Sequence, residues 1–446
     1  MRAKAFLLQE CRNVKALLDS TLQHEYGIGG SEAFYEECSV RLELIRDVLQ
    51  VVDESESDEL TEVGNYLIEL ADLICRIERS ALGAHSWPFV AELKKVALAC
   101  CRDGGMMGVP PLIHVISGGG LDGYAMNPEP VRPGYKFQLI LTIVLPRSAR
   151  HHVLLHSILG HEVGHAMYRC SEHQHTLETG VLNVIKGGLF ASPSKVGKHI
   201  YSRTAPTEVK GFTRALKRKR GVNAQMLFYW AKYEAWAEEI LCDLVGVVIF
   251  GPSFVAAHCE LLLGLSPTGA EFDTEHPPVG WRINAVIRCA ELLGIDTLPP
   301  LNHPVHAKLK RFWENIKSRR RLDPWYDVLG DVQLNSAISN IQELLSPLGP
   351  PLYRRPSPDL LHRLVAQLKD SIPPTGFALE RDGTPRCEKV DFRHIAFAGW
   401  VECQSRPDDD FEYINLLCEH GMMQQAAIDL SLSSSENLKA DAVVAA

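Results

Sequence analysis

The sequence lacks two features that would assign it to a membrane or to an oxidising compartment. No hydrophobic segment is long and uninterrupted enough to cross a membrane, and the apolar run Ala5 to Leu8 is far shorter than the hydrophobic core of a signal peptide. Twelve cysteines show no CxxC spacing and lie scattered through segments that read as helices, which is typical of reduced thiols. We therefore expect a cytoplasmic protein with no membrane span.

An excess of positive charge is also missing. The net charge is −9 over 446 residues, so we expect no general affinity for nucleic acid. The two basic runs, Lys217 to Arg220 and Arg319 to Arg321, are of a kind that usually forms a solvated helix face or loop. Because 46% of the residues are hydrophobic and 23% are charged, the chain can build a large core and more than one structural unit.

His161-Glu162-Val163-Gly164-His165 is the most informative segment of the chain. At 3.6 residues per turn the two histidines lie about 40° apart on one helix face, so both Nε2 atoms can reach the same cation. Glu162 lies about 100° round from His161, where its carboxylate can hold a water molecule instead of binding the metal. Gly164 allows another element to pack closely on the helix. The pattern predicts a zinc hydrolase, and a metallopeptidase in the first place.

A catalytic zinc ion with two histidine ligands and one water needs one further protein ligand. Glu239 is the best candidate, because Asp243 lies four residues later on the same face of a second predicted helix. One of these carboxylates can bind the metal while the other accepts the remaining ring N–H of a ligand histidine. We therefore predict Glu239 as the third ligand and Asp243 as the residue that orients a histidine.

Two alternatives for the third ligand stay open. Glu234 and Glu238 have the same spacing, but no aspartate accompanies them, and we expect Glu238 to face solvent or a neighbouring cation. His173 and His175 follow the first helix directly and could also supply a ligand, although two polar histidines in this position are more often loop residues.

The segment His276-Pro277-Pro278-Val279-Gly280-Trp281-Arg282 completes a set of four motifs. Together they resemble the signature of the HtpX and Ste24 (CAAX prenyl protease) zinc peptidases. The resemblance covers residues 86 to 295 and runs through a strand with an edge segment after it, the HExxH helix, the Glu-x-x-x-Asp helix and the His-Pro-Pro-x-x-x-Arg segment. Since the chain has no membrane-spanning run, the resemblance indicates a soluble variant, an HtpX-like gluzincin domain.

This resemblance implies a role for each residue of the site. The zinc ligands it implies are His161, His165 and Glu239. Glu162 would be the general base and acid, and His276 would donate a hydrogen bond to the tetrahedral oxyanion. Arg282 would be a cation that supports or orients the site, beside Asp243. The edge segment Gly123-Tyr124-Ala125 would bind an extended peptide substrate as an additional strand.

The apolar patterns predict an α+β fold that is mostly helical. Residues 1–85 read as an N-terminal helical region, and residues 86–300 as a zincin-like metallopeptidase domain with a small β-sheet and an insert at 171–232. Strands are expected from Leu112 to Ile116 and from Tyr135 to Leu145. Residues 301–446 read as a C-terminal helical region with a Pro-rich linker at 346–358 and a flexible tail.

Two functions of different classes fit these patterns. The first is a zinc-dependent endopeptidase that hydrolyses peptide bonds of a peptide or protein substrate. The second is a catalytically silent or latent metallopeptidase fold that serves as an interaction module, with a protein partner bound through the helical flanks. Retention of Glu162 favours the enzyme, because a purely structural zinc site is closed by four protein ligands and needs no general base. The oligomeric state and the substrate sequence do not follow from these residues.

Overall fold

The chain divides into two compact units, Met1–His151 and His152–Ala446. A computed structural model of the protein describes the following residues: 3–23, 31–53, 55–78, 86–101, 111–118, 123–128, 139–149, 151–169, 171–190, 222–266, 275–348, 352–379, 384–406 and 410–444. The boundary between the units falls ten residues before His161, inside the predicted domain 86–300. All proposed metal ligands therefore belong to the second unit.

The first unit consists of helices and one small sheet. Its elements are α1 (Ala3–Thr21), α2 (Ser31–Val51), α3 (Ser57–Glu78), α4 (Trp87–Cys100), β1 (Leu112–Gly118), β2 (Ala125–Pro128) and β3 (Ile140–Pro146). Helices α1, α2 and α3 pack on one another through apolar positions three and four residues apart, and Leu18, Leu49 and Ile74 are fully buried in their shared core. This spacing places one apolar stripe of each helix toward the core.

The sheet has the strand order β1-β3-β2. β3 lies in the middle, parallel to β1 and antiparallel to β2, with His114 opposite Thr142 and Met126 opposite Ile143. The fully buried residues Ile140 and Ile143 lie on this central strand, as expected for the middle of a small sheet. β3 begins at Ile140, and the predicted strand start at Tyr135 lies outside the described residues.

The second unit is almost entirely helical. Its elements are α5 (Leu159–Arg169), α6 (Ser171–Thr176), a π-helical turn (Leu177–Leu182), α7 (Asn183–Phe190), α8 (Val222–Phe250), α9 (Pro252–Leu265), α10 (Val279–Leu292), α11 (His306–Ser318), α12 (Asp331–Leu345), α13 (Pro358–Lys369), β4 (Phe377–Leu379), β5 (Pro385–Cys387), α14 (Phe392–Cys403) and α15 (Phe411–Val444). Together the two units give a mostly helical fold with a small sheet, as the sequence predicts.

Among the described helices of the second unit, α5 and α8 share the most extensive contact, and glycines make their close approach possible. A Cβ atom on Gly164 would lie 2.7 Å from Cys242 Cα, and one on Gly160 would lie 2.9 Å from Gly246 Cα. Gly160 faces Gly246 while Gly164 faces Cys242, so the two helices run antiparallel. The close packing at these glycines brings the histidines of α5 within reach of the carboxylates of α8.

A tight turn at Gly251 connects α8 to α9. Gly251 has a φ of 60°, a conformation that favours glycine, and Pro252 begins the next helix, where its missing N–H costs no hydrogen bond. The side chain of Tyr353 covers this turn, since a Cβ atom on Gly251 would lie 2.5 Å from its ring. The chain therefore reverses within one residue, and α9 packs back against α8.

The C-terminal region belongs to the same unit as the metal helices. In the predicted linker 346–358, the Tyr353 N–H donates to Val248 O at 2.9 Å and the His394 ring nitrogen lies 2.6 Å from Arg354 O, so this part of the segment is docked on α8 and α14. Helix α15 continues to Val444 through the segment predicted as a flexible tail. Good helix formers such as Leu438, Lys439 and Ala440 account for this continuation.

Some predicted features lie outside the described residues. They are the basic run Lys217 to Arg220 with the rest of insert positions 191–221, positions 349–351 of the linker, and the last two residues of the tail. Of the helices that are described, none combines the length and the apolar character needed to cross a membrane.

Candidate metal centre

Three side chains converge where α5 packs against α8. His161 Nε2 and His165 Nε2 lie 3.1 Å apart. Glu239 Oε2 lies 3.4 Å from His161 Nε2, and Glu239 Oε1 lies 3.2 Å from His165 Nε2. Donor atoms bound at about 2.0–2.1 Å to a tetrahedral zinc ion are roughly 3.3 Å from one another. The spacing of the three side chains is therefore that of a metal-ligand set.

The chemistry of these atoms also fits a cation. The Nδ1 atoms of both histidines lie next to carboxylate oxygens, so their N–H groups point away from the cluster and the Nε2 lone pairs point into it. Glu239 Oε2 is buried, and its charged neighbours are Arg282 Nη1 at 3.0 Å and His161 Nε2 at 3.4 Å. Two imidazole lone pairs and a carboxylate repel one another at these distances unless protons or a metal ion lie between them. The residues present therefore fit a divalent metal with nitrogen and oxygen ligands.

Each histidine of the cluster has its own carboxylate partner on α8. His161 Nδ1 donates to Asp243 Oδ1 at 2.8 Å, and His165 Nδ1 donates to Glu238 Oε1 at 2.8 Å. Asp243 is completely buried, whereas the Glu238 side chain is 25% exposed. Such partners fix the tautomer and the ring orientation of a ligand histidine and increase its basicity.

Arg282 reaches the cluster from α10 and joins its two buried carboxylates. Its Nε and Nη2 atoms donate to Asp243 Oδ2 and Oδ1, each at 2.8 Å, and its Nη1 atom lies 3.0 Å from Glu239 Oε2. The planar guanidinium is well suited to this two-point contact. Arg282 thus holds Asp243 and Glu239 in a fixed relation, although they lie one helical turn apart.

The electrostatic balance of the site favours a doubly charged cation. If both imidazoles are neutral, the carboxylates of Glu238, Glu239 and Asp243 carry three negative charges and Arg282 carries one positive charge. The largely buried cluster is then left with a net charge of −2. Burial opposes protonation of His161, yet the neighbouring Asp243 and Glu239 carboxylates raise its pKa to about 10. The pKa of His165 is raised to about 9, against the effect of burial, by Glu238 and Glu239. Without metal, protons on the imidazoles supply the missing positive charge, which a divalent ion would replace.

Glu162 lies next to His161 on α5 and is half-buried. Its negative charge acts on His165, so its carboxylate lies at the same end of the ligand set. One helical step separates it from the ligand face, as the HExxH spacing predicts. The Glu162 charge therefore lies within electrostatic reach of the ligand His165.

The remaining predicted site residues are those assigned to the substrate and not to the metal. His276 is exposed and precedes the first residue of α10 by three positions. Gly123 and Tyr124 precede β2, which begins at Ala125 at the edge of the sheet; these three residues belong to the first unit. The roles given to His276 and to this edge segment stay predictions.

None of the alternative ligands belongs to the two groups of potential metal ligands found among the described residues. Glu234 pairs with Lys186 of α7 at 2.8 Å, so Glu234 and Glu238 do not act together at the site. Glu238 is partly exposed, and its carboxylate pairs with His165 Nδ1, which is consistent with the expectation that it faces solvent or a neighbouring cation. His173 and His175 are in neither of the two groups of potential metal ligands found among the described residues.

Two residues of the site were missed from the sequence, Glu238 as an orienting carboxylate and His258. Each of two ligand histidines needs an acceptor for its Nδ1–H group. The sequence prediction named only one acceptor, Asp243. The need for a second one, at His165, could have pointed to Glu238. His258 belongs to the second potential group, with His161 and Asp243. It lies in the apolar helix α9, and no motif spacing connects it to the ligands.

Comparison of the chain with protein-family models, with curated proteins and with solved structures found no match. The similarity to the HtpX and Ste24 peptidases therefore rests on the four motifs alone. The geometry and the chemistry of the cluster are the observations that bear on function.

Proposed function

We propose that the protein is a zinc-dependent metalloendopeptidase that hydrolyses internal peptide bonds of a peptide or protein substrate. The observation that carries this proposal is the convergence of His161 Nε2, His165 Nε2 and the Glu239 carboxylate within 3.4 Å of one another, with Glu162 on the adjoining position of the same helix. Within the described residues the set provides three protein ligands. Three ligands leave a coordination position for water or substrate, as in catalytic zinc sites.

A zinc ion held by these three residues would lower the pKa of a water molecule and polarise a substrate carbonyl. Glu162 takes a proton from the attacking water and later gives it to the nitrogen of the departing amine. Asp243 and Glu238 keep the two ligand imidazoles in the tautomer that exposes Nε2. Arg282 balances the negative charge of Asp243 and Glu239, so that both carboxylates stay ionised within the protein.

His276 is proposed as a donor to the oxyanion that forms from the carbonyl oxygen. Its exposed position before α10 leaves its imidazole accessible to substrate. One such donor typically contributes about 2.7–4 kcal/mol to transition-state stabilisation. His276→Ala should therefore lower kcat by about 10²- to 10³-fold without changing the zinc content.

The four motifs further suggest an HtpX-like or Ste24-like gluzincin without a membrane domain. The cytoplasm, expected from the cysteine pattern, is the proposed location. A partner bound through the helical regions 1–85 or 301–446 is compatible with either function, and in the peptidase it would recruit or select the substrate.

The decisive experiment measures bound metal and proteolysis in the same preparations. Wild type, Glu162→Gln and the control Glu178→Gln, which changes an exposed carboxylate of the π-helical turn, are purified, analysed for zinc and incubated with denatured casein. The proposal expects one zinc ion in each protein and cleavage by wild type and Glu178→Gln only. Glu162→Gln keeps the three ligands, so its loss of activity would report the proton transfer alone.

The other outcomes distinguish the alternatives. Zinc in all three proteins without cleavage by any of them would favour the latent or interaction module over the enzyme. Absence of zinc and of other divalent metals from wild type, even after incubation with excess metal, would show that the ligand assignment is wrong. Equal cleavage by wild type and Glu162→Gln would exclude Glu162 as the general base.

A further inference from the structure

His258 is a buried histidine that reaches the metal centre from a third helix. It lies on α9 and is 2% exposed. Asp243 precedes the turn at Gly251 by eight residues and His258 follows it by seven. Because both helices rise equally per residue, the two residues lie at nearly the same distance from the turn, on neighbouring helices. The one-residue reversal at Gly251 thus places an imidazole beside the carboxylate that orients His161.

The ring of His258 donates to this carboxylate. His258 Nε2 lies 2.8 Å from Asp243 Oδ1, and an ionised carboxylate only accepts hydrogen bonds, so Nε2 carries the proton. The same oxygen receives His161 Nδ1–H and Arg282 Nη2–H, each at 2.8 Å. Three donors from three different helices therefore meet at one oxygen atom. His258 Nδ1 is buried without a hydrogen-bond partner among the described residues, which fits a ring protonated only on Nε2.

The faces of the His258 ring are also in contact with aromatic side chains. Its ring stacks on Phe254 with centroids 4.7 Å apart and planes at 17°, and on His161 with centroids 5.7 Å apart and planes at 23°. These contacts restrict rotation of the His258 ring about its own axis. The direction of its Nε2–H bond toward Asp243 is therefore fixed by packing.

We propose that His258 is a positioning residue of the metal centre, which holds Asp243 in place through its Nε2–H group and thereby keeps His161 Nε2 directed at the metal. Asp243 could otherwise turn toward Arg282 alone, because the guanidinium already satisfies both carboxylate oxygens. The added donor on Oδ1 keeps this oxygen in line with His161 Nδ1. The inference rests on the metal site of the proposed function but not on peptidase activity.

The test compares two substitutions that separate the ring from the donor. His258→Phe keeps an aromatic ring for the stack with Phe254 and removes the donor. His258→Gln removes the ring and keeps an N–H donor, because its amide nitrogen is the same number of bonds from Cα as His258 Nε2. His394→Phe is the control, since His394 is a mostly buried histidine of α14 that contacts Arg354 O and is not part of the centre.

Zinc affinity of the full chain is measured by competition with a chromogenic chelator, and unfolding by urea in EDTA reports the metal-free stability. We expect His258→Phe to weaken zinc binding by about 10- to 100-fold, the usual effect of removing such an outer partner. His258→Gln should restore most of the affinity, even where its metal-free stability is lower than that of His258→Phe. His394→Phe should bind zinc like wild type, whatever its stability.

Two results would overturn the proposal. Unchanged zinc affinity in His258→Phe would show that the donor does not position His161. Equal weakening in both His258 variants, with no recovery in His258→Gln, would assign the effect to ring packing instead of the hydrogen bond. A wild type that binds zinc but cleaves nothing would contradict the peptidase function and leave this comparison intact, whereas a wild type that binds no zinc would overturn both.

Discussion

His165 Nδ1 donates to Glu238 Oε1 at 2.8 Å, and Glu238 directly precedes the metal-ligand candidate Glu239. Adjacent residues of one helix point about 100° apart, so α8 can approach both nitrogens of the same imidazole from two sides. Glu239 faces His165 Nε2 while Glu238 holds Nδ1. The two carboxylates of α8 together fix the ring plane of His165.

From this relation we predict that Glu238→Gln weakens zinc binding by about tenfold, at the lower end of the range for such partners. The effect should be smaller than that of Asp243→Asn, because Glu238 is partly exposed and water can replace its oxygen, whereas Asp243 is fully buried. Competition with a chromogenic chelator measures both affinities. Glu234→Gln is the matched control, as it changes a carboxylate one turn away that pairs with Lys186. An affinity of Glu238→Gln equal to that of this control would contradict the prediction.

A second prediction concerns protons. His161 and His165 have pKa values of about 10 and about 9 in the metal-free protein, so both rings are protonated at pH 7. Zinc needs their Nε2 lone pairs, and its binding should release about two protons at pH 7 and fewer as the pH approaches 10. Titration calorimetry in buffers of different ionisation enthalpy counts these protons. Release of no protons at pH 7 would show that the rings are neutral before metal binds.

The same shifts predict the pH dependence of stability without metal. Both histidines have folded-state pKa values above the unfolded value of about 6.5. Their contribution to the free energy of unfolding is therefore fully present below pH 6.5 and is lost as the pH rises through 9 and 10. In EDTA, the urea concentration at the midpoint of unfolding should decrease as the pH is raised from 7 to 10.

The control for this measurement removes the two titrating rings. A variant with both His161→Gln and His165→Gln should show a smaller fall of the midpoint over the same range, and the difference isolates the histidines from lysine, tyrosine and cysteine groups. Saturating zinc should also reduce the fall in wild type, because bound metal replaces the protons. An equal fall in wild type and in the double variant would contradict the assignment.

The part of the site that the sequence predicts is the part that one helix determines by itself. His161 and His165 share a face because of their spacing on α5, and Glu239 and Asp243 do so on α8; neither relation needs knowledge of the remaining fold. Arg282 was found through its motif. For the fold, apolar periodicity likewise predicted a mostly helical chain with a small sheet.

What the sequence did not reveal depends on contacts between elements. His258 reaches Asp243 only because the chain reverses at Gly251, and Gly-Pro alone signals an end of a helix without giving the direction of the next one. Tyr353 docks on that turn from a segment that its prolines suggested to be a linker. A small and polar composition suits both a frayed tail and a helix, so the sequence does not decide between them at the end of α15.

Close packing of α5 on α8 gives the last prediction. A Cβ atom on Gly164 would lie 2.7 Å from Cys242 Cα and 3.1 Å from its Sγ, and a backbone atom cannot move aside as a flexible side chain can. Gly164→Ala should therefore separate the helices and lower the free energy of unfolding by about 1–3 kcal/mol, more than the gain of about 0.5–1 kcal/mol that alanine brings to a helix. The zinc affinity should also fall, since the ligands lie on both helices.

Gly187→Ala is the matched control, because Gly187 lies within α7 and a Cβ atom there would meet nothing within 4 Å. The same substitution should stabilise the protein there by up to about 1 kcal/mol and leave zinc binding unchanged. Urea unfolding in EDTA and chelator competition measure the two quantities. If Gly164→Ala matched Gly187→Ala in stability and in zinc affinity, the distance between α5 and α8 would not control the metal centre.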